Sequence, residues 1–427
     1  MLSPASAATV RATLPAVGAA IGDITPLFYD KMFAAHPELL RDLFNRGNQA
    51  NGSQRQALAG SIAAFAGALL EHPDTRPDAM LARIAHKHAS VGIRADQYPI
   101  VHRHLFAAIA EVLGDAVTPE VAAAWDEVYW LMANALIELE RGLYERAGTP
   151  EGEVWREYRL VARLQETADV VTFLVAPVDG RPVPASKPGQ YVSVRAELPD
   201  GARQIRQYSL SGHPDGALQF SVKRVTGEVG GDAVTGDMPH LTGDDMTGDM
   251  AHPTGHRAPT TPDGEVSNHL HDHLSPGDHL QVSAPFGDVA LAEGDGPVLL
   301  ASAGIGCTPV ISMLAHLAAT GSARRVVSVH GDRDQASHAF RADLKQLTTK
   351  LPQATAHVFY ERPLGDWPAE RTGLVDLADV EVPAGTTAYL CGPLPFLRSV
   401  RAQLIEAGVR PADIHYEVFG PDLWLGA

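Results

Sequence analysis

Over the first 147 residues apolar side chains recur three and four positions apart and β-branched runs are scarce, a pattern that predicts helices. The clearest runs over 119–147: Thr118 can cap its start, Pro119 takes the first helical position, and Gly148 follows its end. Further helices are predicted over 3–20, 25–35, 52–71, 77–88 and 96–113, separated by short polar or Pro/Gly joints. Such unequal helices indicate an irregular all-α fold rather than a solenoid. The pattern changes after Thr149-Pro150-Glu151-Gly152, which reads as a linker. Short strands are then predicted over 158–164, 170–176, 190–195, 204–210, 219–225 and 278–284. Turn signals at Asp179-Gly180, Pro199-Asp200-Gly201 and Pro214-Asp215-Gly216 punctuate them, as in a β-barrel or sandwich. From Pro297 onward, strands over 298–302, 326–330, 356–360, 388–391 and 414–419 alternate with helical sequence, clearest over 309–319. That alternation predicts a parallel α/β unit.

One stretch fits none of these patterns. Residues 226–262 are polar and repetitive, with Thr-Gly-Asp at 235–237, 242–244 and 247–249 and Thr-Gly-His at 254–256. This reads as a solvated insertion, because its spacing matches no calcium loop.

The chain's 427 residues, at about 150 per domain, allow two to four domains. Acidic residues number 51 against 34 basic ones, for a formal net charge of −17. That excess repels a phosphate backbone and argues against nucleic-acid or anionic-membrane partners. A phosphate-bearing ligand would then need local arginines and backbone amides. The two cysteines, Cys307 and Cys391, are too few and too far apart for a disulfide framework or a zinc set. Apolar runs such as 61–70 fall short of the ~20 residues needed to span a bilayer, and no signal-peptide pattern opens the chain. A cytoplasmic location is the expectation.

Several side chains stand out against this background. His88 shares a helical face with Leu81, Ile84 and Ala85, which aims its imidazole into an apolar interior. It is either a core histidine bonded to a carbonyl or an axial ligand to haem iron. Glu140, on a face with Met132 and Leu136, would be a buried carboxylate and needs a partner; Tyr98 can join it. A carboxylate on the far nitrogen of a ligating histidine fixes its tautomer and makes it more electron-donating. Tyr29 (with Thr25, Met32 and Phe33) and Gln54 (with Leu58, Ser61 and Phe65) put polar tips on apolar faces. Such tips either bond locally or hold a small polar ligand such as O2.

In the central region Arg206-Gln207-Tyr208-Ser209 sets an arginine beside an aromatic on one strand face, suited to a phosphate next to a flat ring. Gly264-Glu265-Val266-Ser267-Asn268 opens a helix, a place for a diphosphate. The turn Ala303-Gly304-Ile305-Gly306-Cys307-Thr308-Pro309 follows a strand and precedes a helix, and Cys391-Gly392-Pro393 ends another strand. His269 and His273 are four apart, but no third metal ligand accompanies them. Arg333, after the 326–330 strand, is either solvated or placed to meet a 2′-phosphate.

The runs Phe28-Tyr29-Asp30-Lys31-Met32-Phe33, His36-Pro37-Glu38-Leu39, Leu43-Phe44-Asn45, Asn51-Gly52-Ser53-Gln54-Arg55 and Ile84-Ala85-His86-Lys87-His88 resemble the globin domain of flavohaemoglobins. The resemblance implies His88 as the proximal ligand of haem b iron, with Tyr98 and Glu140 bonded behind it. It implies Tyr29, Gln54 and Leu58 on the distal side, Phe44 packed on the haem, and Lys87 at the position that adjusts haem potential. The 206–209 and 264–268 motifs, with Pro188-Gly189-Gln190-Tyr191, resemble the FAD motifs of the ferredoxin–NADP reductase family. They imply Tyr191, Arg206, Gln207, Tyr208, Ser209 and the backbone of Val266 and Ser267 as FAD contacts.

The motifs at 304–309 and 391–393 look like the NADH or NADPH site of the same family. They imply Gly304, Ile305, Gly306, Cys307, Thr308, Pro309, Cys391, Gly392 and Pro393 as contacts. The tail Tyr416-Glu417-Val418-Phe419-Gly420-Pro421 matches the segment that closes over the flavin, through Glu417, Phe419, Gly420 and Pro421.

The fold implied is an N-terminal all-α globin (1–147), a central antiparallel FAD-binding β-barrel (154–290, carrying the insertion) and a C-terminal parallel α/β NAD(P)-binding unit (296–427). The activity implied is nitric oxide dioxygenation: NO and O2 become nitrate with electrons from NAD(P)H through FAD to haem. Alternatives are an NAD(P)H-dependent flavin reductase and an O2- or redox-sensing haem protein. A monomer is expected.

Overall fold

The computed structural model describes residues 1–50, 52–212, 214, 216–227 and 263–420. Most of the predicted insertion, residues 228–262, and Pro421 lie outside the described residues.

The helical part comprises α1 (Pro4–Ala35), α2 (Pro37–Asp42), α3 (Arg46–Ala50), α4 (Ser53–Glu71), α5 (Asp78–Val91), α6 (Tyr98–Leu113) and α7 (Pro119–Ala147). The two helices expected over 3–20 and 25–35 are one, running through Pro15 and Pro26. An interior proline costs a helix about 3 kcal/mol. Val17, Ile24, Phe28 and Met32 are all buried along α1, and each buried apolar side chain returns roughly 1.5–3 kcal/mol, so packing wins over the local break. The long helix packs on α4, α6 and α7, while α5 packs on α7. The ends of α7 are as its sequence demands: the Thr118 hydroxyl accepts the Val121 N–H at 3.3 Å, and Gly148 closes the helix at φ 66°.

Six antiparallel strands follow: β1 (Trp155–Gln165), β2 (Val170–Pro177), β3 (Tyr191–Glu197), β4 (Arg203–Gly212), β5 (Leu218–Lys223) and β6 (His279–Ser283). Their order β1-β2-β5-β4-β3-β6 closes on itself, so the barrel alternative holds and the sandwich does not. Phe173, Phe220, Leu160 and Val194 fill its interior, and helix α8 (Glu265–His273) lies across it through Val266 and Leu270.

The last part is a five-stranded parallel sheet, ordered β11-β10-β7-β8-β9. Its elements are β7 (Val298–Ala303), α9 (Cys307–Ala319), β8 (Val326–Asp332), α10 (Arg341–Lys350), β9 (Ala354–Tyr360), β10 (Thr387–Cys391), α11 (Leu394–Glu406) and β11 (Ile414–Glu417). The sequence reading predicted neither α10 nor α11. The chain reverses its direction of travel across the sheet between β7 and β10, and a crevice at such a switch point is where open α/β sheets bind ligands. No helix among the described residues is long and apolar enough to cross a membrane.

Two glycines hold the joint between the helices and the barrel. Gly92 caps α5 at φ 82°, and a Cβ there would stand 2.7 Å from the carbonyl oxygen of Gly152, itself at φ 78°. Gly92→Ala therefore meets both a left-handed backbone and a collision with main chain, and should cost about 1–3 kcal/mol. Calorimetry should show a lower melting temperature; an unchanged one would mean that the joint tolerates a side chain.

Candidate active site

The site begins with a carboxylate that has no access to water. Glu140, on α7, is 2% exposed. Its Oε1 lies 2.8 Å from His88 Nδ1 and accepts the Tyr98 hydroxyl at 2.6 Å, and that hydroxyl is also 3.1 Å from His88 Nδ1. Three helices thus converge on one group. Tyr98 is held in turn by its own carbonyl, which accepts the Tyr129 hydroxyl at 2.7 Å. Burial, then the Glu140 charge, pushes the Tyr98 phenol upward, so it stays a donor. With Nδ1 committed, Nε2 is the ring nitrogen that His88 can offer to a ligand.

His88 lines a cavity of about 540 Å³. Tyr29, Gln54, Leu58 and Phe44 line it too, so the residues expected to face one ligand do share one space. Tyr29 is buried, and burial raises its pKa, while the Gln49 and Gln54 side chains and Arg55 oppose the shift. Its ring meets Phe44 edge-on at 5.9 Å. Sequence reasoning missed Gln49, which sits on the five-residue α3, too short for any periodicity to mark it.

The same cavity continues to the barrel. Tyr191, Arg206, Gln207, Tyr208, Ser209, Val266 and Ser267 line it, as do Glu417, Phe419 and Gly420 from the tail. Arg206 donates to the Ile205 carbonyl at 2.8 Å and to Gln204 Oε1 at 3.3 Å, both neutral acceptors, and burial holds its pKa down. A desolvated guanidinium so bonded is well suited to an anionic ligand. Tyr208 stacks on Phe220 at 5.6 Å, which fixes its ring, and Tyr191 is buried opposite Ser209. The Ser267 hydroxyl is occupied locally, donating to the Gly264 carbonyl and accepting the Val225 N–H, so what the start of α8 offers is backbone.

Helix α5 ties these regions together. Arg83 donates to the Tyr416 carbonyl at 2.5 Å, with its guanidinium 4.2 Å from the Tyr416 ring centroid. His86 Nδ1 accepts the Gly287 N–H at 2.9 Å, and burial pushes that imidazole down to about 4, so it is a neutral acceptor. Lys87 donates to the Gly420 carbonyl at 3.1 Å. On the other side, Gln204 reaches the carbonyls of Leu40, Arg41 and Phe44, and Asp42 pairs with Arg203 at 2.9 Å.

The turn at 304–309 and Cys391-Gly392-Pro393 come together at the ends of β7 and β10, where Cys391 pairs in the sheet with Glu417 of the cavity lining. A Cβ on Gly306 would lie 2.2 Å from the Cys391 carbonyl oxygen, so glycine is obligatory there. Gly304, at φ 53°, has open space where a Cβ would stand, leaving its backbone accessible. The Thr308 hydroxyl is spent on the Ile305 carbonyl at 3.1 Å, and Pro309 is buried within α9. Both thiols are buried and raised by burial, so neither is a thiolate. Beneath the turn lies a polar cluster that the sequence did not suggest. Ser302 Oγ is 2.9 Å from His330 Nδ1, His338 Nδ1 is 2.8 Å from the Tyr360 hydroxyl, and the two imidazoles stack at 4.0 Å. Arg333 pairs with Asp169 at 3.5 Å. The His269/His273 pair gains no further ligand: no metal-binding group of three exists among the described residues.

The chain matches three family models: Globin over residues 27–136, Oxidoreductase FAD-binding domain over 158–291 and Oxidoreductase NAD-binding domain over 300–402. It is therefore a globin joined to an NAD(P)H-dependent oxidoreductase. It is 41% identical to the flavohemoprotein of Bordetella pertussis over 439 aligned residues, covering 98% of this chain and 99% of that one. The crystal structure of the flavohemoglobin from Malassezia yamatoensis with bound FAD and heme superposes with a TM-score of 0.84. It shares 36% identity and covers 98% of this chain and all of that one. The FAD/NAD-binding domain of the nitric oxide dioxygenase from Vibrio cholerae is 31% identical, with a TM-score of 0.50 over 63% of this chain and all of that one. The chain belongs to the flavohemoprotein family, the flavohaemoglobins whose motifs it carries.

Buried His338 makes stability depend on pH. Burial pushes His338 down to about 2 from the ordinary 6.5, with His330, Asp332 and Arg341 the charged or titratable groups acting on it. Between those values the unfolded chain binds a proton that the folded chain refuses, so stability falls as pH drops below 6.5. His338→Gln removes that difference and should flatten the acid limb by up to about 1.4 kcal/mol per pH unit. Urea midpoints measured from neutral to mildly acidic pH test this; parallel curves would contradict it.

Proposed function

We propose that the chain is a nitric oxide dioxygenase: two NO and two O2 become two nitrates as one NAD(P)H is oxidised. The observation that carries this is the single cavity, lined at one end by His88 and at the other by the 206–209 strand. The domain division 1–147, 154–290 and 296–427, a cytoplasmic setting and a monomeric state belong to the same proposal.

The residues fit the groups this chemistry needs. His88 Nε2 would hold haem b iron, since Nδ1 is committed to Glu140 and Tyr98. Arg206 would meet the FAD diphosphate, with Tyr191, Gln207, Tyr208, Ser209 and the backbone of Val266 and Ser267 around it. The residues at 304–309 and 391–393 would hold the pyridine nucleotide. When bound, the flavin accepts a hydride and releases electrons singly, and the haem iron binds O2.

The protein's own work is positioning and proton control. Glu140 keeps the proton on His88 Nδ1 and raises the basicity of the ring, which favours oxidative chemistry over storage. Tyr29, held protonated by burial, donates to the small ligand beside Gln54. Leu58 and Phe44 keep the pocket apolar, and Lys87 ties the haem helix to the closing segment of Glu417, Phe419 and Gly420. A sensor has no need of the hydride supply that the reductase half provides.

The purified chain with both cofactors should consume NO and form nitrate in equal amounts when NADH or NADPH and O2 are present. If it oxidises the nucleotide without regard to NO while reducing added acceptors, the flavin-reductase alternative replaces this one. Tyr29→Phe should lower NO consumption roughly hundred- to thousandfold, the scale of one preorganised donor, with the haem spectrum intact. Unchanged consumption would remove Tyr29 from the chemistry.

A further inference from the structure

We propose that Ser193 is a positioning residue for electron transfer within the chain, the middle link of a hydrogen-bonded relay from the flavin pocket to the peptide bond that precedes His88. The inference rests on the reading above, in which FAD and haem share one cavity.

The relay is explicit. Gln207 Nε2 donates to Ser193 Oγ at 3.1 Å, Ser193 Oγ donates to Ser90 Oγ at 3.0 Å, and Ser90 Oγ donates to the Lys87 carbonyl at 2.8 Å. Both serines are fully buried. Along this relay each hydroxyl accepts from the group before it and donates to the next, so neighbouring bonds polarise one another. The first donor lines the cavity on the barrel side. The last acceptor belongs to the peptide whose nitrogen is that of His88. Ser193 is itself pinned, its N–H donating to Ser283 Oγ on β6 at 2.9 Å, and Ser90 also meets the Tyr191 side chain. Ser193 therefore fixes α5 against β3 at the point where the two pockets adjoin.

In the redox step NAD(P)H gives up a hydride, which carries two electrons. Bound FAD would take up that hydride, leaving NAD(P)+, and would then return to its oxidised form by giving its two electrons one at a time to ferric haem, each reducing one iron to ferrous. Ser193→Ala leaves Gln207 Nε2 and Ser90 Oγ each short of a partner and removes one of the bonds between the helix and the strand. One of the ties that hold the two sites in register is lost.

The test mixes the full chain, loaded with both cofactors, with NADH under argon, and follows flavin bleaching and haem reduction separately. In Ser193→Ala flavin bleaching should keep its rate, since the relay does not touch the nucleotide crevice. Haem reduction should slow about fivefold, the scale of one hydrogen bond. Ser90→Ala should behave alike, the double variant should be no slower than either, and Ser193→Thr, which keeps the hydroxyl, should recover most of the rate. Amide hydrogen exchange across α5 should rise in the alanine variants. Haem reduction at the parent rate in Ser193→Ala, or slowing that multiplies in the double variant, overturns the proposal. If the parent chain bleaches its flavin without reducing its haem, the functional reading fails and takes the proposal with it.

Discussion

A carboxylate buried among helices costs several kcal/mol unless its oxygens are satisfied. In this chain the satisfaction of Glu140 arranges everything around it. His88 and Tyr98 reach it from α5 and α6, so three helices are fixed relative to one another by bonds of 2.8 and 2.6 Å. Losing either partner would take one of two hydrogen bonds from a buried carboxylate, a steeper loss than an ordinary surface substitution. The same bonds settle which nitrogen of His88 faces the cavity. A demand of folding and a demand of chemistry are met by the same few atoms.

Helix α5 carries that order outward. The face that presents His88 to the cavity belongs to a helix that also presents Arg83, His86, Lys87 and Ser90 to the barrel and the tail. Barrel closure brings β4 against α2 through Gln204, which holds the other flank. The two ends of the cavity are thereby set by one framework rather than by a flexible tether between independent units. At the switch point of the parallel sheet Gly306 brings the 304–309 turn against β10, whose Cys391 pairs with Glu417 of the cavity lining.

Much of this was legible in the residues. The caps of α7 at Thr118 and Gly148 are local, so sequence alone locates them. The face of His88 follows from helical spacing, and the burial of Glu140 from its apolar companions. Other features had no local sign. Pro26 falls in the first turn of the helix expected over 25–35 and reads as a helix start, and only packing along α1 joins it to the helix before it. In α11, Pro395 and the spacing of Leu397, Val400 and Leu404 were available to be read. In α10 only Leu344 and Thr348 are buried, so its polar sequence hides the helix. Gln49 beside Tyr29, Ser90 beside Ser193, and His330 stacked on His338 are meetings of distant segments that no spacing rule encodes.

In the proposed function Glu140 makes His88 an electron-rich ligand. The iron–histidine stretching band of the ferrous protein, observed by resonance Raman spectroscopy, reports that bond directly. The account predicts that the band moves to lower frequency when Glu140 is replaced by Gln, as donation from the ring weakens. A band at the same frequency in both proteins would contradict it.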